Sequence, residues 1–206
     1  MILEVNHIDS DIFAVTGLFT PAECKRWIEQ GEGLGFQAAA VSMASGAKMM
    51  PQVRNNDRAS FEDPEFAVAL WEKVRYFVPA EIDGCLARGL SEHFRFYRYD
   101  PGQRFKRHRD GSVDGPAGQR SKLTFLIYLN DGYEGGETAF VDCRYEDGVS
   151  IPESVKISGK TGMGLFFRHE RKHEGMPVLT GRKYVLRTDV LYDIDPIATD
   201  RADAEA

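Results

Sequence analysis

From Ser91 to Tyr192 the apolar residues of this 206-residue chain fall in short runs, and turn residues separate the runs. Phe94, Phe96 and Arg98 alternate with Tyr97 and Tyr99, the period-two signature of a strand. Asp100-Pro101-Gly102 then turns the chain, and a second strand leads into His108. Leu123–Asn130, reading Leu-Thr-Phe-Leu-Ile-Tyr-Leu-Asn, is the clearest buried strand. Asp131-Gly132 and Gly135-Gly136 break it, and 137–142, 155–157, 164–167 and 183–192 complete the set. Strands of this size with turn signals between them predict a sandwich or barrel.

The first ninety residues read differently. Residues 11–19 predict a short strand. Thr20-Pro21-Ala22-Glu23 is a capping box with proline at the first helical position, so a helix begins there. Trp27 and Ile28 are its apolar side, and Gly31 to Gly35 its expected end. Residues 36–42 suit a strand and 42–60 a polar loop. Asp63-Pro64 opens a second helix whose stripe of Phe66, Leu70, Trp71, Val74 and Phe77 or Val78 packs on a sheet. Pro79 stops it, and 80–90 suit another short helical turn. The expectation is a mainly β fold with N-terminal helices (α+β) in a single domain. It divides into helical support (1–90), a β core (91–192) and a fraying acidic tail (193–206).

Chemistry concentrates in Tyr99–Gly111. His108 and Asp110, two residues apart in an extended segment, present an imidazole and a carboxylate to the same side. Alone this is equally a surface turn, since Asp110-Gly111 is good turn chemistry. A third ligand must come from elsewhere, and His173 is the best placed. Two histidines and one carboxylate leave three open positions, which suits non-haem Fe(II). His169 competes, because His-x3-His on a helix suits zinc, but its surroundings are charged and loop-like. His7 and His93 belong to no constellation, and Glu137 reads either as a catalytic acid or as the start of a strand. The polar run 54–58 is either solvated loop or a substrate-contacting segment, with Arg54, Asn56 and Arg58 as its donors.

Three patterns then combine. They are Tyr99-x-Pro101-Gly102-x-x-Phe105-x-x-His108-x-Asp110, Tyr128-Leu129-Asn130 before Gly135-Gly136-Glu137-Thr138-Ala139-Phe140, and His173-x-Gly175-x-Pro177-Val178-x-x-Gly181-x-Lys183. Over roughly 91–192 the chain resembles the prolyl 4-hydroxylase-like branch of the Fe(II)/2-oxoglutarate dioxygenases. The resemblance implies a double-stranded β-helix (jelly roll) as the catalytic core, with iron on His108, Asp110 and His173. It implies that Lys183 binds the far carboxylate of 2-oxoglutarate and that the Tyr99 and Tyr128 hydroxyls complete that site. The alternative for each tyrosine is a core aromatic with its hydroxyl at the rim. Arg187 shares the Lys183 face and is either a second anion contact or a partner for Asp189, whereas Arg182 should face away.

The implied activity is an O2-dependent hydroxylation giving succinate, CO2 and hydroxylated product, with L-ascorbate as reductant. The implied substrate is a peptidyl proline or another protein side chain. A small molecule is the alternative, as is a non-catalytic jelly-roll sensor of metal or 2-oxoglutarate. Lys183 separates enzyme from metal module, because a dianionic chelator needs a buried cation and a simple metal barrel does not. Segments 42–60, 112–121 and 143–160 are expected to set specificity.

Composition bounds the partners. A net charge of −6 argues against coating nucleic acid. Yet 95–109 carries six cations against Asp100 alone, which suits an anionic ligand, an acidic partner or a solvated strand face. No apolar run approaches the roughly eighteen residues of a membrane span. Cys24, Cys85 and Cys143 are odd in number and unpaired by motif. With an acidic N-terminus lacking an apolar core, they predict a cytoplasmic protein with reduced thiols.

Overall fold

The computed structural model describes residues 2–43, 46–146 and 149–194, leaving out the side chains of 42, 43, 117, 142–146 and 149–153. The Cys143 thiol and the tail from 195 onward therefore lie outside the described residues.

Two antiparallel sheets face each other. The larger has ten strands, ordered Glu4–Asp9, Ile12–Thr16, Gly164–Arg168, Gln119–Tyr128, Lys183–Asp193, His93–Tyr99, Asp57–Glu62 and Gln37–Ala38; Cys85–Leu90 pairs with the far part of Lys183–Asp193 and with Glu81–Ile82. The smaller has four, Phe105–His108, His173–Gly175, Thr138–Glu146 and Val149–Ile157. Two facing antiparallel sheets of this kind make the jelly roll, or double-stranded β-helix.

The period-two pattern decides what each face carries. Phe94 and Phe96 point outward, where Trp27 and Phe66 from the helices cover them; Trp27 and Phe66 lie 4.3 Å apart and Phe66 and Phe94 4.8 Å. Such aromatic pairs add about 0.5–1.5 kcal/mol each beyond the area they bury. Tyr97 and Tyr99 point inward, joining Tyr128, Phe140, Phe167 and Val185 between the sheets. Lys183 pairs with Tyr99 and Arg187 with Arg95 across the ladder, so Lys183 and Arg187 share this inner face.

Both helices start as their caps predict. In α1 (Pro21–Leu34) the Thr20 hydroxyl accepts from Glu23 N and the Glu23 carboxylate accepts from Thr20 N. In α2 (Pro64–Val74) Asp63 accepts from Phe66 N. Helix α1 runs through Gly31 and Gly33 and stops at Gly35 (φ 82°), within the stretch expected to end it. Gly31 is buried against the Phe96 ring, where a Cβ would sit 3.1 Å away. The glycine lets the helix lie close to the sheet.

Four expectations are corrected. Residues 80–90 form no helical turn but a hairpin, Glu81–Ile82 to Cys85–Leu90, with Asp83 (φ 51°) and Gly84 (φ 77°) at the turn. Asp-Gly is the strongest two-residue hairpin signal, and here it prevails. The 42–60 loop ends in a strand, Asp57–Glu62, whose Asp57 charge pairs with Arg98. The 143–160 stretch belongs largely to the hairpin of the small sheet. The N-terminal ninety residues are more than helical support, since Glu4–Asp9, Ile12–Thr16, Gln37–Ala38, Asp57–Glu62, Glu81–Ile82 and Cys85–Leu90 extend the large sheet. Cys24 and Cys85 are free and buried. Among the described residues no helix is long and apolar enough to cross a membrane.

Candidate metal centre

His108 ends one strand of the small sheet, and His173 begins the strand beside it. The ladder makes them direct cross-strand partners, with ring centroids 4.3 Å apart. Each ring hangs from a carbonyl two residues back: His108 Nδ1 from Lys106 O at 2.8 Å, His173 Nδ1 from Arg171 O at 2.9 Å. That bonding assigns the proton to Nδ1 and leaves both Nε2 lone pairs free. They face Asp110, at 3.6 Å from Oδ1 for His108 and 3.5 Å from Oδ2 for His173. One donor atom from each residue lies within 4.8 Å of the other two.

Asp110 is itself held from behind. Its Oδ2 accepts from Thr124 Oγ1 at 2.6 Å and its Oδ1 from the Arg187 guanidinium at 2.7 Å. The single Thr124 proton goes to the carboxylate, so Thr124 must accept from His169 Nδ1 at 3.0 Å. His169 Nε2 then accepts from Ser121 Oγ at 2.8 Å, and Ser121 accepts from Val113 N. His169, set aside as a ligand on spacing, is buried support for the carboxylate. Arg187 also binds Asp189 at 2.9 Å, and Asp189 binds Arg95 at 3.1 Å. Asp110, Arg187, Asp189 and Arg95 thus alternate in sign through the interior.

These contacts set the charge states. Burial would raise the Asp110 pKa, but Arg187 and the two imidazoles hold it well below the ordinary carboxylate range. Burial brings His173 down to about 4 against the pull of Asp110, so its ring is neutral. Outer contacts of this kind usually contribute ten- to hundredfold in metal affinity. Thr124→Val is expected to weaken divalent-metal binding by roughly that factor without unfolding the protein. Metal titration beside a thermal melt checks it, and an unchanged affinity would remove Thr124 from the design.

Lys183 occupies the same cavity, deeper in. It is 3% exposed, and its ammonium donates to Gly136 O at 2.6 Å. The rings of Tyr99 and Tyr128 each lie 5.3 Å from it and that of Tyr133 6.0 Å. Among the described residues no carboxylate pairs with it, and burial lowers its pKa to about 8, with Glu137 opposing. The cavity that it shares with the triad is narrow, about 40 Å³.

Most of the expected residues converge here. His108, Asp110, His173, Lys183, Tyr99 and Arg187 line one cavity. The Tyr99 hydroxyl has no hydrogen-bond partner among the described residues. Tyr128 is fully buried one layer back, and its hydroxyl meets Thr138 Oγ1 at 2.7 Å, so Thr138 rather than Tyr128 lines the cavity. Arg187 is a partner for Asp189, as one alternative had it, and for Asp110 as well. Arg182 turns away to Asp100. Asn56 is fully buried, with its amide on the Asp57 carbonyl and its oxygen on Arg54 Nε, so in this structure it positions Arg54. Sequence reasoning missed Thr124, Thr138, Ser121 and Tyr133. Polar residues at inward positions of apolar strands were the available signal for the threonines.

The donor set fits a divalent cation that accepts nitrogen and oxygen ligands, and a lysine without a counter-ion fits a chelator bearing a second negative group. Residues 94–188 match the sequence profile of the 2OG-Fe(II) oxygenase superfamily. A PKHD-type hydroxylase of Methylobacterium nodulans is 29% identical over 152 residues, covering 69% of this chain and 65% of that protein. Prolyl 4-hydroxylase 2 of Arabidopsis thaliana is 24% identical over 203 residues, covering 84% and 64%. The chain thus spans a little under two thirds of the length of these relatives. In fold it is similar to a viral collagen prolyl hydroxylase of Paramecium Bursaria Chlorella virus-1, solved with 2OG (TM-score 0.59, 22% identity, 90% of this chain and 97% of that). It is similar also to a Trichoplax adhaerens prolyl hydroxylase solved with a hypoxia inducible factor peptide (TM-score 0.61, 15% identity, 87% and 83%).

The jelly roll is shared with these hydroxylases, and in this chain the three donor residues and the buried Lys183 line one cavity of it. Residues 94–188 thus match the 2OG-Fe(II) oxygenase superfamily, and the chain is similar in sequence and fold to its prolyl 4-hydroxylase-like members. The cofactors of that superfamily are Fe(II), 2-oxoglutarate and O2.

Proposed function

We propose that the protein is an Fe(II)- and 2-oxoglutarate-dependent hydroxylase, with His108, Asp110 and His173 as its iron ligands. The observation that carries this is Lys183, a buried cation without a carboxylate among the described residues, lining the same cavity as the triad. Bound there, iron with 2-oxoglutarate and O2 supplies the oxidant for C–H hydroxylation, with succinate and CO2 as co-products.

The chain's own residues supply position and charge. His108 and His173 offer neutral Nε2 atoms, each fixed by its carbonyl. Thr124 and Arg187 orient Asp110. Lys183 takes the remote carboxylate of 2-oxoglutarate, and Tyr99 donates its free hydroxyl to the same ligand. Tyr128 acts through Thr138. Fully desolvated contacts of this kind are worth most in a cavity closed to water. A peptidyl proline or another protein side chain is supported as substrate by the relatives' names and by the peptide in the Trichoplax structure. Ascorbate is the reductant expected for such a centre.

Anaerobic Fe(II) titration with and without 2-oxoglutarate tests the reading. The wild type is expected to give a weak visible charge-transfer band, and His173→Ala to lose it. A wild type without the band overturns the reading.

The lysine also sets a pH dependence. Only the ammonium form pairs with a carboxylate, and burial places its loss near pH 8 in the free protein. Affinity for 2-oxoglutarate should be flat below pH 8 and fall about tenfold per unit above it. Lys183→Arg should flatten that fall. Binding constants measured across pH 7–10 decide between the two forms.

A further inference from the structure

Two cavities meet at the triad. The first holds Lys183. The second, about 510 Å³, runs outward from His108 and Asp110 past the strands Asp57–Glu62 and His93–Tyr99. Its charged lining is five arginines, Arg54, Arg58, Arg95, Arg109 and Arg187, against the single carboxylate of Asp110. Arg95 and Arg187 are answered by Asp189 and Asp110. Arg58 has no ion-pair or hydrogen-bond partner among the described residues. Arg54 is 6% exposed, and one terminal nitrogen of its guanidinium has no hydrogen-bond partner among the described residues.

Arg54 is also rigidly presented. Its guanidinium lies between the rings of Tyr97, at 4.6 Å, and Phe105, at 4.5 Å. Asn56 holds its Nε at 2.8 Å. A stacked, buried guanidinium with an open edge is a preformed fork for a planar anion. Burying such a charge without an anion is costly, and a ligand that brings the anion relieves the cost.

We propose that this arginine groove binds the carboxylate of an anionic substrate, Arg54 and Arg58 gripping it while a neighbouring C–H bond lies at the triad. The inference rests on the hydroxylase reading and deepens it: the substrate is a carboxylate-bearing amino acid or an acidic peptide segment, not a neutral proline-rich chain. Nucleic acid is disfavoured as the anion, because the protein as a whole carries −6 and repels a long polyanion.

The test uses the Fe(II)–2-oxoglutarate protein under anaerobic conditions, with 2-oxoglutarate saturating throughout. Calorimetry measures binding of L-proline and Ac-Glu-Pro-Glu-NH2 beside L-prolinamide, Ac-Gln-Pro-Gln-NH2, a (Pro-Pro-Gly)5 peptide and a single-stranded oligonucleotide. At least one carboxylate probe should bind ten times or more tighter than its amide. Which of the two does so says whether a free amino acid or an acidic side chain supplies the group. Arg58→Gln should remove that difference with the charge-transfer band unchanged, and Arg58→Lys should retain part of it. Equal binding of acids and amides, no binding by either acid, tighter binding of the oligonucleotide, or an indifferent Arg58→Gln overturns the proposal. A wild type without the charge-transfer band overturns the hydroxylase reading instead, and the calorimetry of the same samples still decides the groove.

Discussion

Lys183→Ala is expected to weaken 2-oxoglutarate binding by about two orders of magnitude while Fe(II) binding changes only a few-fold. Truncating one partner of a buried, hydrogen-bonded charge pair costs about 2–5 kcal/mol, and about 1.4 kcal/mol is a factor of ten. Most of that cost is the ligand carboxylate left buried among Tyr99, Tyr133 and Thr138 without a cation. Without ligand the substitution should be mild or stabilising, because among the described residues Lys183 meets no carboxylate, only the Gly136 carbonyl and three tyrosine rings, and burial already lowers its pKa to about 8. The two halves of the prediction are separable. Ligand affinity is read from the charge-transfer band, and stability from a thermal melt of the metal-free protein. An unchanged 2-oxoglutarate constant would show that Lys183 is a structural residue.

Arg187→Leu should have the largest effect on stability. The guanidinium joins two buried carboxylates, Asp110 at 2.7 Å and Asp189 at 2.9 Å, and Asp189 is fully buried. Removing one partner from such a set strands the others, at about 3–5 kcal/mol. For a chain of this length that is a fall of about 10 °C in melting temperature. The double variant Arg187→Leu with Asp189→Leu should recover part of the loss, since Asp189 is then no longer a buried orphan. Fe(II) should also recover part of it, by taking over the charge on Asp110. A melt within 2–3 °C of wild type, in the absence of metal, would mean that the interior ladder contributes nothing measurable.

How much of this was legible in the sequence depends on whether the signal was local. The caps of both helices are local, and Thr20 with Glu23 and Asp63 with Phe66 bond as their spacing implies. The inward and outward faces of His93–Tyr99 follow from alternation alone. His108 and Asp110 stood out by their spacing and His173 as the best-placed third ligand, whereas Lys183 stood out only through the family resemblance; the structure brings the four to one cavity. Asp57–Glu62 was hidden because its charges look like solvent exposure, whereas Asp57 is neutralised by Arg98 from the neighbouring strand. Glu4–Asp9 is an edge strand, nearly all exposed, and carries no apolar pattern to read. The positions of Asn56 and His169 in their hydrogen-bond networks were hidden for the same reason: their partners, Arg54 for one and Thr124 and Ser121 for the other, become neighbours only once the chain is folded. Asp83-Gly84 was a local signal that went unread.

The direct pairing of His108 with His173 has a consequence for folding. More than sixty residues separate them in the chain, and the loop between includes most of the β core. An ion chelated by both is a cross-link across that loop, equivalent to a clip that closes when the ladder forms and opens when the ion leaves. It rewards only one register, because a slip by one residue turns each imidazole to the opposite face of its sheet. Metal supply would then act as an inspection step, tightening those chains whose two strands have paired correctly and leaving mispaired ones to unravel.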